Sequence, residues 1–110
     1  MNAPFQFTTQ ATEDLDAIWW FIAEDSPDAA DRVEMEIVAT CRRLAKRPLM
    51  GTKRQDLTPL PVRFWTVTRF PNYVIVYRPE TAPLQVVAVL NSKRDLKDVL
   101  SKRSGQGGHL

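Results

Sequence analysis

The chain has 110 residues, 44% hydrophobic and 25% charged, which suits one domain with its own core and excludes an intrinsically disordered chain. A formal net charge of +2 is too small to mark a nucleic-acid binder by itself, and the longest apolar run, Ala17 to Ala23, is too short to span a bilayer. The single Cys41 closes no internal disulfide and builds no zinc cluster, and Met1-Asn2-Ala3-Pro4 does not open a signal peptide, so the expectation is a soluble cytoplasmic protein with no metal and no cofactor.

Pro4 to Thr8 reads as a first strand with Phe5 and Phe7 on one face. Thr8 or Thr9 caps a helix in which Ala11, Leu15, Ile18 and Ile22 form a stripe of helical period. Trp19 widens that stripe into the core. Trp20 lies off it and is the better exposed aromatic anchor. Glu13 and Asp14 are placed in the first turn, where the helix dipole favours acids. Asp25-Ser26-Pro27-Asp28 breaks the chain, with Ser26 as cap and Pro27 as first residue of a second helix. Ala30, Val33, Ile37, Cys41 and Leu44 form its buried stripe, and Pro48 ends it. So short a link predicts a helical hairpin.

Leu49 to Pro61 is loop, carrying Lys53 and Arg54. Three strands follow, Val62–Thr68, Tyr73–Arg78 and Leu84–Leu90, separated by turns short enough for an antiparallel meander. The last two are apolar on both faces. One face meets the helical hairpin, and the other, with Val74 and Val76, needs cover from something else. A short helix, Asp95 to Leu100, closes a domain spanning residues 1–100, and residues 101–110 read as a flexible tail. The expected fold is α+β: an antiparallel sheet packed against an N-terminal helical hairpin, its helices segregated on one face, with a short C-terminal helix.

Charge is unevenly placed. Thr12 to Glu36 holds nine acids against Arg32 alone, whereas bases dominate from Arg42 onward. Two readings stay open: partners met through oppositely charged ends, or two solvated faces.

Four stretches carry a resemblance to the RelE/ParE superfamily of small bacterial toxins. They are Phe7-Thr8 with Ala11-x-x-Asp14-Leu15-x-x-Ile18-Trp19; Cys41-x-x-Leu44-Ala45-x-x-Pro48-x-x-Gly51; Val62-Arg63-x-Trp65-x-Val67-x-x-Phe70-Pro71-x-Tyr73-x-Ile75-x-Tyr77-Arg78; and Val89-Leu90-x-x-x-Arg94-Asp95-Leu96. The resemblance implies a toxin held in check by a small cognate antitoxin, laid across the sheet and helices, with DNA contacted only through that antitoxin.

RelE-like members cleave messenger RNA on the ribosome, whereas ParE-like members poison DNA gyrase. Cleavage by the 2′-hydroxyl needs a base, an acid and cations. Cations are present: Lys53, Arg54, Arg63, Arg69, Arg78, Lys93 and Arg94 are the target-binding candidates. Proton-transfer groups are scarce. His109 lies at the end of the tail, Tyr73 and Tyr77 sit mid-strand as packing residues, and Asp56 and Asp95 read as a cap and a salt-bridge partner. The stretch Leu90-Asn91-Ser92-Lys93-Arg94-Asp95 resembles a ParE-like motif, with Asn91 where histidine is usual and Ser92 where glycine is usual. The expected function is therefore a ParE-like toxin that inhibits gyrase, the residues of catalysis being unknown. A RelE-like ribonuclease and a non-toxic antitoxin-binding relative are the alternatives. Trp20, Val74 and Val76 are the antitoxin-interface candidates. Arg63 is either a target contact or half of an ion pair with Asp95 or Asp56, and Arg94 and Asp95 tie the last strand to the final helix.

Overall fold

The structure is a computed structural model that describes residues 3–105. Its elements are β1 (Phe5–Phe7), α1 (Thr9–Ala23), α2 (Pro27–Lys46), β2 (Arg63–Thr66), β3 (Tyr73–Arg78), β4 (Leu84–Asn91) and α3 (Leu96–Gly105).

Thr8 starts α1, its extended backbone freeing the hydroxyl to accept from Ala11 N–H at 3.2 Å. Ser26 does the same for α2, accepting from Ala29 N–H at 3.1 Å just ahead of Pro27. Ala30, Val33, Ile37, Cys41 and Leu44 are buried as their spacing requires, and each large one contributes about 2 kcal/mol by leaving water. Burial pushes the Cys41 thiol up to about 12, so it behaves as a small hydrophobe and not as a nucleophile.

The four strands run β1-β4-β3-β2. The β2-β3-β4 meander is antiparallel, with Phe64 opposite Val76 and Val74 opposite Leu90. The expectation of a wholly antiparallel sheet is corrected at one edge. β1 joins β4 in parallel, Phe5 beside Leu84 and Phe7 beside Val86, so the sheet is mixed. The crossover through the helical hairpin returns the chain to that edge in the same direction. In β4 the register shifts opposite Val76 and Tyr77. Val87 and Ala88 then both join the core on one side, while Val86 and Val89 serve the other. That bulge makes β4 an almost continuous apolar run.

Both faces of the sheet are covered by the chain itself. The α1–α2 hairpin packs on Ile75, Tyr77, Val86 and Val89. On the opposite face Val74, Val76, Val87 and Leu90 pack with Leu100, flanked by Leu96, Val99, Leu57 and Leu60. The helices are thus not segregated on one face. α3 also extends past Leu100 through Gly105, so residues 101–105 are helical where a flexible tail was expected. Residues 106–110, with His109, lie outside the described residues.

Candidate functional site

Tyr77 anchors the chain as it leaves α2. It is wholly buried, and its hydroxyl donates to Pro48 O at 2.7 Å and accepts from Gly51 N–H at 2.8 Å. A Cβ built on Gly51 would lie 2.5 Å from that hydroxyl oxygen and 2.9 Å from Phe64 O, so only glycine admits the approach. Arg63, opposite Tyr77 on β2, donates through Nη1 to Gly51 O at 2.7 Å and Leu49 O at 3.4 Å. The ion pair expected for Arg63 with Asp95 or Asp56 is absent among the described residues, because main-chain carbonyls take the guanidinium first. Burial raises the Tyr77 pKa, opposed by the Gly51 N–H and by the charge of Arg63. Tyr73 is raised by burial alone. Neither phenol is poised to accept a proton near neutral pH, and both hydrogen-bonding directions of Tyr77 are filled.

The cationic candidates divide between the two ends of the sheet. Lys53, Arg54 and Arg63 line a concave surface together with Thr58, Pro61 and Glu80, and Arg78 ends β3 nearby, its backbone opposite Gln85. Arg69, Lys93 and Arg94 lie at the other end, where Ser92 N–H bonds Asn72 O at 2.7 Å and Ser92 Oγ bonds Pro71 O at 3.1 Å. The six residues of β3 separate these groups by about 20 Å, so the seven do not converge on one phosphate. Arg54 is further occupied by a two-pronged pair with Asp56, at 3.0 and 2.8 Å, whose hydrogen bond holds the Asp56 carboxyl below its usual range. Asp95 caps α3, accepting from Asp98 N–H at 3.1 Å. The roles expected of the two acids are exchanged: Asp56 is not a cap but the ion-pair partner of Arg54, which stands two residues before it, and Asp95 is not a salt-bridge partner but the cap of the helix that starts beside it. On β2, Arg63 Nε and Trp65 Nε1 are buried without a hydrogen-bond partner among the described residues.

The antitoxin-interface candidates fare differently. Val74 is 6% exposed and Val76 0%, so they are core residues beneath α3 and not an open surface. Trp20 is 68% exposed, and Phe21 beside it 75%. Trp19 is not a core residue either: its indole N–H donates to Asp31 Oδ1 at 2.8 Å, tying α1 to α2 at the surface.

Asp14 holds a junction that its sequence position conceals. It lies beyond the first turn of α1 and does not serve the helix dipole. Its Oδ2 accepts from Val89 N–H at 3.0 Å, at the β4 edge that β1 leaves open. Both its oxygens also accept from the guanidinium of Arg103 on α3. The two side chains are only 13% and 14% exposed. One carboxylate thus joins the hairpin on one face, the edge of the sheet and the helix on the other face. Eighty-nine residues separate the pair in sequence, and the only local signal is an acid on the edge of an otherwise apolar stripe.

Together these features define a small α+β domain, a helical hairpin on a four-stranded mixed sheet with a C-terminal helix closing the other face. The same fold occurs in the solved structure "Chromosomal ParDE TA system from P. aeruginosa", similar over 79% of this chain and 92% of that one, with 24% sequence identity and a TM-score of 0.65. At that identity the likeness speaks for the fold. The chain belongs to the ParE toxin family of type II toxin-antitoxin systems, the family model matching residues 5–96. No curated protein matches it.

Proposed function

We propose that this chain is the toxin of a type II toxin-antitoxin pair, that it acts by binding and inhibiting DNA gyrase, and that a cognate small antitoxin neutralises it. Membership of the ParE family supports the toxin role. The observation that carries the choice of a binding toxin over a nuclease is the state of the candidate proton carriers. Tyr77 is buried with both hydrogen-bonding directions filled, Asp56 is locked to Arg54, and Asp95 caps a helix. A ribonuclease built on the cationic set would have to free one of them to take the 2′-hydroxyl proton. The antitoxin engages the hairpin at the exposed Trp20 and Phe21, whose apolar area suits a partner's packing. DNA is reached only through the antitoxin.

A ribosome-dependent ribonuclease is the second reading. It is favoured by Lys53 and Arg63 lining one concave surface, where a phosphate would be met by charge. Inducible expression in bacteria separates the two. The proposal expects growth arrest, a DNA-damage response and intact transcripts. Arrest with rapid codon-linked transcript cleavage and no damage response establishes the nuclease instead. Soluble protein without arrest points to a relative that binds an antitoxin but is not toxic.

A further inference from the structure

The outer face of α2 is not used by the fold or by the proposed function. Its buried stripe faces the sheet and α1. Half a turn away, Asp28, Met35, Arg42 and Lys46 are all exposed, and helical geometry places them along one line. Met35 is 70% exposed, an apolar side chain with no counterpart in its own chain. Asp28 and Arg42 lie seven residues to either side of it, two helical turns or about 10 Å each way. Neither of them, nor Lys46, makes an ion pair among the described residues. Arg43, by contrast, is paired with Glu36 within the helix. The line is acidic before Met35 and basic after it. Glu24 and Asp25, exposed at the turn, extend the acidic end, and Arg32 is the one base within it.

A surface with this symmetry complements itself when turned end for end. We propose that two copies of this chain associate through antiparallel α2 helices, with the two Met35 side chains meeting at the two-fold axis. Asp28 of one protomer then faces Arg42 of its partner, and the reverse. The acidic turn at Glu24 and Asp25 approaches the partner's Lys46. A second copy is the occupant that the charges select, because a partner of one sign would meet repulsion along half of the face. A contact between two single helices buries less than a permanent dimer needs. The association is therefore weak, reversible and sensitive to salt, since its ion pairs lie at the rim. It leaves Trp20 and Phe21 on α1 free, and it does not depend on the gyrase reading.

Sedimentation velocity on the full chain, made by cell-free synthesis, tests the proposal over a range of protein concentrations at low and at high salt. The expected result is a concentration-dependent dimer at low salt that dissociates at high salt. Glu24→Lys with Asp28→Lys reverses the acidic end of the line, and Arg42→Glu with Lys46→Glu reverses the basic end. Each double variant alone should be monomeric, its self-association weakened about tenfold or more, with an unchanged circular dichroism spectrum because the residues are exposed. Mixed in equal amounts, the two variants should form a heterodimer. Met35→Lys, which brings two cations to the axis, should abolish the dimer. A wild-type chain monomeric at every concentration overturns the proposal and leaves the face for another partner. Dimers that persist in either double variant, or a mixture that stays monomeric, also overturn it.

Discussion

The two faces of the sheet are covered by different means. On one face the α1–α2 hairpin brings two long helices with continuous apolar stripes, and burial of area does most to hold it down. On the other, α3 is ten residues long and offers only Leu96, Val99 and Leu100 to the core. Among the described residues its attachment relies on a single polar junction between side chains, Arg103 with Asp14, at the open edge of β4. The first cover is redundant and the second depends on one pair. Loss of one contact should therefore loosen the hairpin gradually but release α3 as a unit.

The largest expected loss comes from Ile37→Ala, which opens a cavity under the hairpin where the side chain is fully buried. We expect about 3–4 kcal/mol less global stability by urea denaturation, with two-state unfolding retained. Asp14→Ala comes next, at about 3 kcal/mol. It leaves Arg103 and the Val89 N–H unpaired, and hydrogen exchange should show α3 amides losing protection while α2 amides keep it. Equal loss in both helices would erase the contrast drawn between the two faces.

Tyr77→Phe is smaller, about 1–2 kcal/mol, because Pro48 O and Gly51 N–H lose their partner. It also changes the response to alkali. The Tyr77 pKa is raised in the folded chain by burial. The hydroxyl's contribution is therefore complete below the unfolded phenol value, near 10, and is lost as pH rises through the higher folded value. Urea titrations at rising alkaline pH should show a steeper fall for wild type than for Tyr77→Phe. Parallel curves would mean that the phenol is not buried as described. The smallest effect is that of Ser26→Ala, about 1 kcal/mol, confined to the start of α2.

Much of the first face was legible because its signals are local. The Ser26-Pro27 cap, the stripe from Ala30 to Leu44 and the turns of the meander each lie within a few residues of what they specify. The second face was not legible. Val74 and Val76 read as an open surface because their cover comes from three residues of α3 and from Leu57 and Leu60 in a segment without periodicity. Nothing near Arg103 points to Asp14. The parallel pairing of β1 escaped notice because a three-residue strand carries no directional pattern. At the site, the cations were visible as residue types, but the roles of Asp56 and Asp95 were read in reverse, since either acid beside a base and a turn suits either role. The destination of Arg63 could not, since main-chain carbonyls leave no mark in the side-chain pattern. Gly51 likewise shows its purpose only when Tyr77 is seen to reach it.

The most direct test of the account is DNA supercoiling by purified gyrase in the presence of the purified chain. The account predicts dose-dependent inhibition or trapping of cleaved DNA, with transcripts on translating ribosomes left intact under the same conditions. Full gyrase activity at saturating toxin, together with transcript cleavage on ribosomes, would contradict it.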